Sequence, residues 1–157
     1  MLALILACDE NGGIGKDGKL PWPHPKTDML RFKEMTLNSI IVMGRVTWDG
    51  LPIKPLPKRF NIVVSKNYDF DAEGAFVVDN IQKIVSISEN STVFLIGGAK
   101  LIESMKDHID VIYLSRFKGE FECDTFIDLE WIDEDFYVFG DKIYELDHSF
   151  EILYRKS

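Results

Sequence analysis

Apolar residues fall along this chain in short unbroken runs rather than in strict alternation. The clearest are Leu2–Cys8, Ser39–Met43, Phe60–Ser65, Ala75–Val78, Thr92–Ile96 and Val111–Phe117. Phe136–Phe139 and His148–Tyr154 follow near the end. Runs of this kind belong to strands buried on both faces, as in a mostly parallel sheet. Segments with helical character lie between them: Thr27–Leu37, Val46–Leu51, Asn80–Ser88 and Ala99–Lys106. Strand and helix alternate and the chain then closes on strands. That order predicts one α/β domain over residues 1–157, with a central, mostly parallel sheet of about eight strands, an antiparallel C-terminal strand and about four flanking helices. Ligands of such sheets sit beyond the carboxyl ends of the strands, so the residues just after each strand are the ones to read for chemistry.

Composition narrows the partners. The formal net charge is -8, which disfavours nucleic acid, because phosphate backbones need a basic face. A small anionic ligand stays open, since a few local cations suffice for it. Cys8 and Cys123 are too few for a disulfide scaffold, and a free thiol ending an apolar run reads as core, which fits a reducing cytoplasm. The run LALILAC is far shorter than the roughly 20 apolar residues of a membrane span and has no basic segment before it. No repeat or low-complexity tract divides the chain.

The segment Gly13–Leu20, GIGKDGKL, imitates a phosphate-binding loop. That loop needs a hydroxyl where Leu20 stands and a helix starting at the Gly-Lys step. Pro21, Pro23 and Pro25 follow instead and impose an extended path. The glycines therefore predict a mobile loop across the end of the first strand. Asp9-Glu10, at the end of the same strand, cannot serve as a separate magnesium acid.

Asp28 lies near the start of a helix, with Phe32 and Met35 at i+4 and i+7. This spacing puts its carboxylate on the apolar face. It reads either as a first-turn acid complementing the helix dipole or as an acid in a pocket that binds a cationic or amidine-like edge. Trp22 and the preceding loop would roof such a pocket. Two further units run strand, glycine, helix: Met43-Gly44-Arg45-Val46-Thr47 and Ile96-Gly97-Gly98-Ala99-Lys100. Glycine allows close approach of a ligand, and a helix start favours an anion. Together with Ser65-Lys66 after another strand, they suggest one long anionic ligand across the strand ends. Arg45, Lys66 and Lys100 are either its phosphate partners or solvated surface cations.

In order and spacing these residues resemble dihydrofolate reductase over essentially the whole chain. The matching pieces are Ile14-Gly15, Leu20-Pro21-Trp22, Asp28 with Phe32-Lys33, Met43-Gly44-Arg45 with Thr47-Trp48, and Pro55-Leu56-Pro57. They continue with Arg59, Asn61–Ser65, Ile96-Gly97-Gly98, Tyr113-Leu114-Ser115 and Asp124-Thr125. The resemblance implies a dihydrofolate-reductase-like fold and NADPH-dependent reduction of 7,8-dihydrofolate to tetrahydrofolate, in support of one-carbon metabolism and thymidylate and purine synthesis. Hydride would pass from the nicotinamide to pterin C6, and N5 would take a proton. Asp28 would hold the 2-amino and N3 edge and favour N5 protonation through solvent. Ser115 would support that carboxylate, Trp22 would anchor a water, and Leu20 would exclude water from the hydride transfer. Ile5, Ala7, Met29, Phe32, Leu51, Leu56 and Ile96 would wall the substrate site, and Arg59 would grip the glutamate tail.

For the cofactor, the resemblance implies contacts from Ala7 and Ile96 and from the lid residues Ile14, Gly15, Lys19 and Leu20. Gly44, Arg45, Val46 and Thr47 would follow, then Val64, Ser65 and Lys66. Gly97, Gly98, Ala99, Lys100, Leu101 and Ile102 would complete the site with Thr125. It further implies a cytoplasmic monomer without a metal, with dihydrofolate and antifolates such as methotrexate or trimethoprim as its small-molecule partners. Departures are the long Trp22–Asp28 spacing, Val46 in place of a basic residue, Lys100 in place of an arginine fork, and Ile102 in place of an aromatic residue. A pyrimidine reductase of the riboflavin pathway has no need of Asp28, Trp22 and Arg59. A non-catalytic nucleotide-binding protein on the same scaffold would be expected to lose Asp28.

Overall fold

The computed structural model describes all residues except 23–25 and 68–69. The expected extended path through Pro23 and Pro25 therefore lies outside the described residues. Ten strands occur among the described residues: β1 Leu2–Cys8, β2 Gly13–Gly15, β3 Ile40–Gly44, β4 Phe60–Val64, β5 Phe76–Val78, β6 Val93–Leu95, β7 Val111–Phe117, β8 Thr125–Phe126, β9 Phe136–Tyr144 and β10 His148–Arg155. The helices are α1 Lys26–Thr36, α2 Arg45–Gly50, α3 Ile81–Ser88, α4 Ala99–Met105 and α5 Glu130–Asp135. Eight strands form one sheet in the order β5-β4-β3-β6-β1-β7-β10-β9, and β2 pairs with β8 in a two-stranded sheet of its own. From β5 to β7 all pairings are parallel. β10 runs antiparallel to both β7 and β9.

The unbroken apolar runs are explained by two cores. In β1, Leu2, Leu4, Leu6 and Cys8 enter one cluster, which also takes Ile84 of α3 and Leu101, Ile102 and Met105 of α4. Ala3 and the partly buried Ile5 face the other cluster, with Met35 of α1 and Trp48 of α2. Residues alternate sides along a strand, so a strand covered on both sides must be apolar throughout.

Two expectations need correction. The α-helices number five among the described residues, one more than expected, because α5 carries only Trp131 and Ile132 as buried positions, too few for a periodic signal. The strand begun at Phe136 continues to Tyr144 instead of stopping at Phe139. Gly140 sits at φ 74° beside a β-bulge opposite Glu151. Glycine accepts that conformation, so the strand bends there and pairing resumes.

Candidate active site

β7 carries Ser115 in register with Ala7 of β1 on one side and Phe150 of β10 on the other. α1 crosses this face and brings Asp28 to it. The Ser115 hydroxyl donates to Asp28 Oδ1 at 2.5 Å, and the Asp28 side chain is 19% exposed. Arg31 Nη1 lies 3.3 Å from the same Oδ1. Among the described residues, neither contact involves Oδ2, which leaves that oxygen available to a ligand. Arg31 was not singled out from the sequence, although Asp28 and Arg31 stand at i,i+3, a spacing that supports helix ion pairs.

Trp22 is buried and stacks on Phe117 at 4.7 Å, with Phe121 edge-on at 5.8 Å. It thus ties the end of the opening loop to the β7 side of the site. Ile5, Leu51, Leu56 and Ile96 are partly buried against the second core. They form an apolar wall that keeps some surface free. Met29 is exposed. Phe32 lies under the Arg59 guanidinium, whose centre is 5.7 Å from the ring. The buried Arg59 Nε has no partner among the described residues, and burial holds this guanidinium below its usual pKa. A desolvated, orphaned fork donor is suited to a carboxylate. Asn61 fixes that corner: its side-chain oxygen accepts from Leu56 N at 3.0 Å, and its amide donates to Leu56 O at 3.0 Å and Arg59 O at 3.1 Å.

At the carboxyl ends of β3 and β6, Gly44 N donates to Gly97 O at 2.9 Å. Gly97 has φ 137°, and a Cβ there would meet Thr47 Oγ1 at 2.9 Å. Only glycine fits, and the cleft keeps bare main chain on its surface. The helices after these turns have six and seven residues, so their dipoles add little and the side chains carry most of the charge. Arg45 pairs with Asp49 at 3.6 Å and lies 4.3 Å over the Phe70 ring. Lys66 and Lys100 are exposed, Ser65 accepts from Asn67 N at 3.2 Å, and Val46 is 69% exposed. Val64 is partly buried against the first core. A cavity of about 490 Å³ opens between α4 and β8, lined by Ala99, Lys100, Glu103, Ser104, Phe126, Ile127 and Asp128. It lies on this side of the cleft, away from Asp28. Leu101 and Ile102 have their side chains packed in the first core, which leaves their main chain as the part that can face a ligand. These bare glycines, the cations and the adjoining cavity fit a phosphorylated dinucleotide.

The opening loop is held by its neighbours. Gly13 and Gly15 pair with Phe126 and Thr125, and Ile14 packs on the first core. Asp124 N donates to Gly15 O at 3.0 Å, and Asp17 N donates to Asp124 Oδ2 at 2.9 Å. Lys16 and Lys19 face each other across a tight turn, and Leu20 is 47% exposed. No helix begins in this loop, as expected. Asp9, set aside from the sequence as a decoy, anchors it. Burial pushes the Asp9 carboxyl up, but the Gly13, Asn11 and Phe121 amides and the Cys123 thiol more than reverse this and hold it below the usual range. Cys8 is a core thiol, pushed up to about 11 by burial.

Bare glycine turns and cations at the strand ends, with a carboxylate beside an apolar wall, fit the class of α/β reductases that bring two ligands together. The chain matches the family model described as dihydrofolate reductase over residues 1–155. It is 35% identical over 164 residues to the dihydrofolate reductase type 8 of Escherichia coli, covering 99% of this chain and 95% of that protein. It is 38% identical over 125 residues to the dihydrofolate reductase of Bacillus subtilis, covering 79% and 73%. The solved dihydrofolate reductase from Enterococcus faecalis, complexed with NADP(H) and RAB-propyl, superposes with a TM-score of 0.90 at 32% identity, covering 100% of this chain and 97% of that one. The chain belongs to the dihydrofolate reductase family, and its reaction is the NADPH-dependent reduction of dihydrofolate. Membership sets aside the pyrimidine-reductase and non-catalytic readings.

Proposed function

We propose that Asp28 is the acid of the pterin pocket and that the residues around it divide the labour of reducing 7,8-dihydrofolate. One observation carries this: the Asp28 carboxylate is hydrogen-bonded by Ser115 through Oδ1, which leaves Oδ2 to a donor edge. That oxygen pairs with the 2-amino and N3 edge of the pterin. The fixed negative charge favours a proton at N5, delivered through solvent anchored by Trp22. Bound NADPH supplies the hydride. Ile5, Leu51, Leu56, Ile96 and Phe32 wall the ring, and Arg59 takes the carboxylate of the glutamate tail. Arg45, Ser65, Lys66 and Lys100 hold the 2′-phosphate side of the cofactor, and Gly97 and Gly98 lie under its pyrophosphate. The Gly13–Leu20 segment is a lid, and Leu20 excludes water when it closes.

The protein acts as a cytoplasmic monomer and binds antifolates such as methotrexate and trimethoprim. No described helix is long and apolar enough to cross a membrane. Purified protein given dihydrofolate and NADPH is expected to lose NADPH absorbance, with methotrexate blocking the loss. Folded protein without turnover would overturn the reading.

A further inference from the structure

Arg31 is the charged group nearest the proposed acid that the family resemblance does not account for. Its guanidinium lies 4.2 Å over the Phe150 ring and is 18% exposed, so it is held in place rather than sweeping through solvent. Three polar groups face it. Asp28 Oδ1 is 3.3 Å away on its own helix, Glu145 Oε1 is 3.9 Å away beside the β9–β10 turn, and His148 Nε2 is 3.5 Å away on β10. On its far side the His148 ring places Nδ1 2.8 Å from Asp147 Oδ1, so a neighbouring carboxylate offsets any charge the ring carries. Glu145 is farther away and more exposed than Asp28, so solvent screens it more. From β7 the group facing Asp28 is the uncharged Ser115. The close charge balance at the acid is therefore one carboxylate against one guanidinium that cannot lose its proton.

We propose that Arg31 is a positioning residue that sets the charge of the pterin pocket. It holds Asp28 Oδ1, turns Oδ2 toward the ligand, and weakens the pocket's grip on a protonated ring. This inference rests on the assignment of Asp28 as the pterin acid. Two consequences share one cause. The substrate holds its N5 proton less tightly than it would beside an unpaired carboxylate, so hydride transfer declines at a lower pH. A basic 2,4-diaminopyrimidine, which binds a carboxylate best as a cation, loses affinity relative to the neutral dihydropterin.

The test compares wild type, Arg31→Met, Arg31→Lys and Asp28→Asn. Readouts are binding of trimethoprim, dihydrofolate and NADPH by tryptophan quenching, and the pH profile of single-turnover hydride transfer. Arg31→Met replaces the guanidinium over Phe150 with an unbranched, uncharged side chain. It should lower the ratio of trimethoprim Kd to dihydrofolate Kd about tenfold and move the decline of the rate up by about one pH unit, with NADPH binding unchanged. Arg31→Lys keeps the charge and should stay near wild type in both. The proposal is overturned if Arg31→Met moves neither quantity, or if Arg31→Lys matches Arg31→Met, which would mark a packing role. Wild-type behaviour of Asp28→Asn would instead overturn the assignment of the acid. Should Arg31→Met lack a cooperative melt, Arg31→Gln carries the same comparison.

Discussion

Ser115 and Asn61 do related work at opposite corners of the site. Each is a buried polar side chain on a strand, and each satisfies a group that packing alone would leave adrift. Asn61 fastens the main chain at Leu56 and Arg59; Ser115 fastens the acid itself. A hydrogen bond to a charged group contributes about 1.5–3 kcal/mol. If its loss is felt fully in the transition state, Ser115→Ala should slow hydride transfer by about one to two decades. NADPH affinity should be unchanged, because Ser115 lies away from the cations at the strand ends. A Ser115→Ala enzyme with wild-type single-turnover rates would show that the bond does not hold Asp28 for catalysis.

Among the elements, the β1–β2 junction depends most on a single side chain. Asp9 accepts from Asn11 N at 2.9 Å and Gly13 N at 2.8 Å, and it reaches across to Phe121 N and Cys123 Sγ, each at 3.4 Å. Its pKa is held below the usual carboxylate range. The stability it adds is therefore present above that range and lost as pH falls through the depressed value, below about pH 4. Amide exchange should show the protection factors of Asn11 and Gly13 falling there before those of the β1 core. Simultaneous loss across β1 would mean that Asp9 anchors no separable hinge. This junction also shows how far the sequence could be read. The sheet was legible because strands covered on both faces must be apolar. β2 and β8 were not legible, since three and two residues held by main-chain pairing leave no side-chain pattern. Asp28, Ser115 and Arg59 stood out through the company they keep in sequence. Asp9 and Arg31 did not: each has partners close in sequence, but Phe121 and His148, which complete their surroundings, are brought near only by folding.

At the scale of the molecule, the sheet separates a core backed by α3 and α4 from one backed by α1 and α2, and the strand ends between them form the proposed ligand cleft. A ligand that spans this cleft stabilises the whole fold by binding the native state alone. At a concentration 100 times its Kd the gain is about 2.7 kcal/mol. If Arg45, Ser65, Lys66 and Lys100 hold the 2′-phosphate as proposed, NADPH should raise Tm by several degrees, and NADH at equal concentration should raise it less. Equal shifts in a thermal melt would remove these residues as the discriminating set. The β9 edge carries exposed Tyr137, Val138, Phe139, Ile143 and Tyr144, and Lys142 between them pairs with Glu151 of β10 at 3.1 Å.

The central claim is that Asp28 controls the proton that hydride transfer requires. Asp28→Asn tests it most directly, through single-turnover rates measured across pH alongside NADPH affinity. The account predicts unchanged NADPH binding, loss of most of the rate at neutral pH, and partial recovery in acid, where the substrate is already protonated. A neutral-pH rate equal to wild type would contradict it.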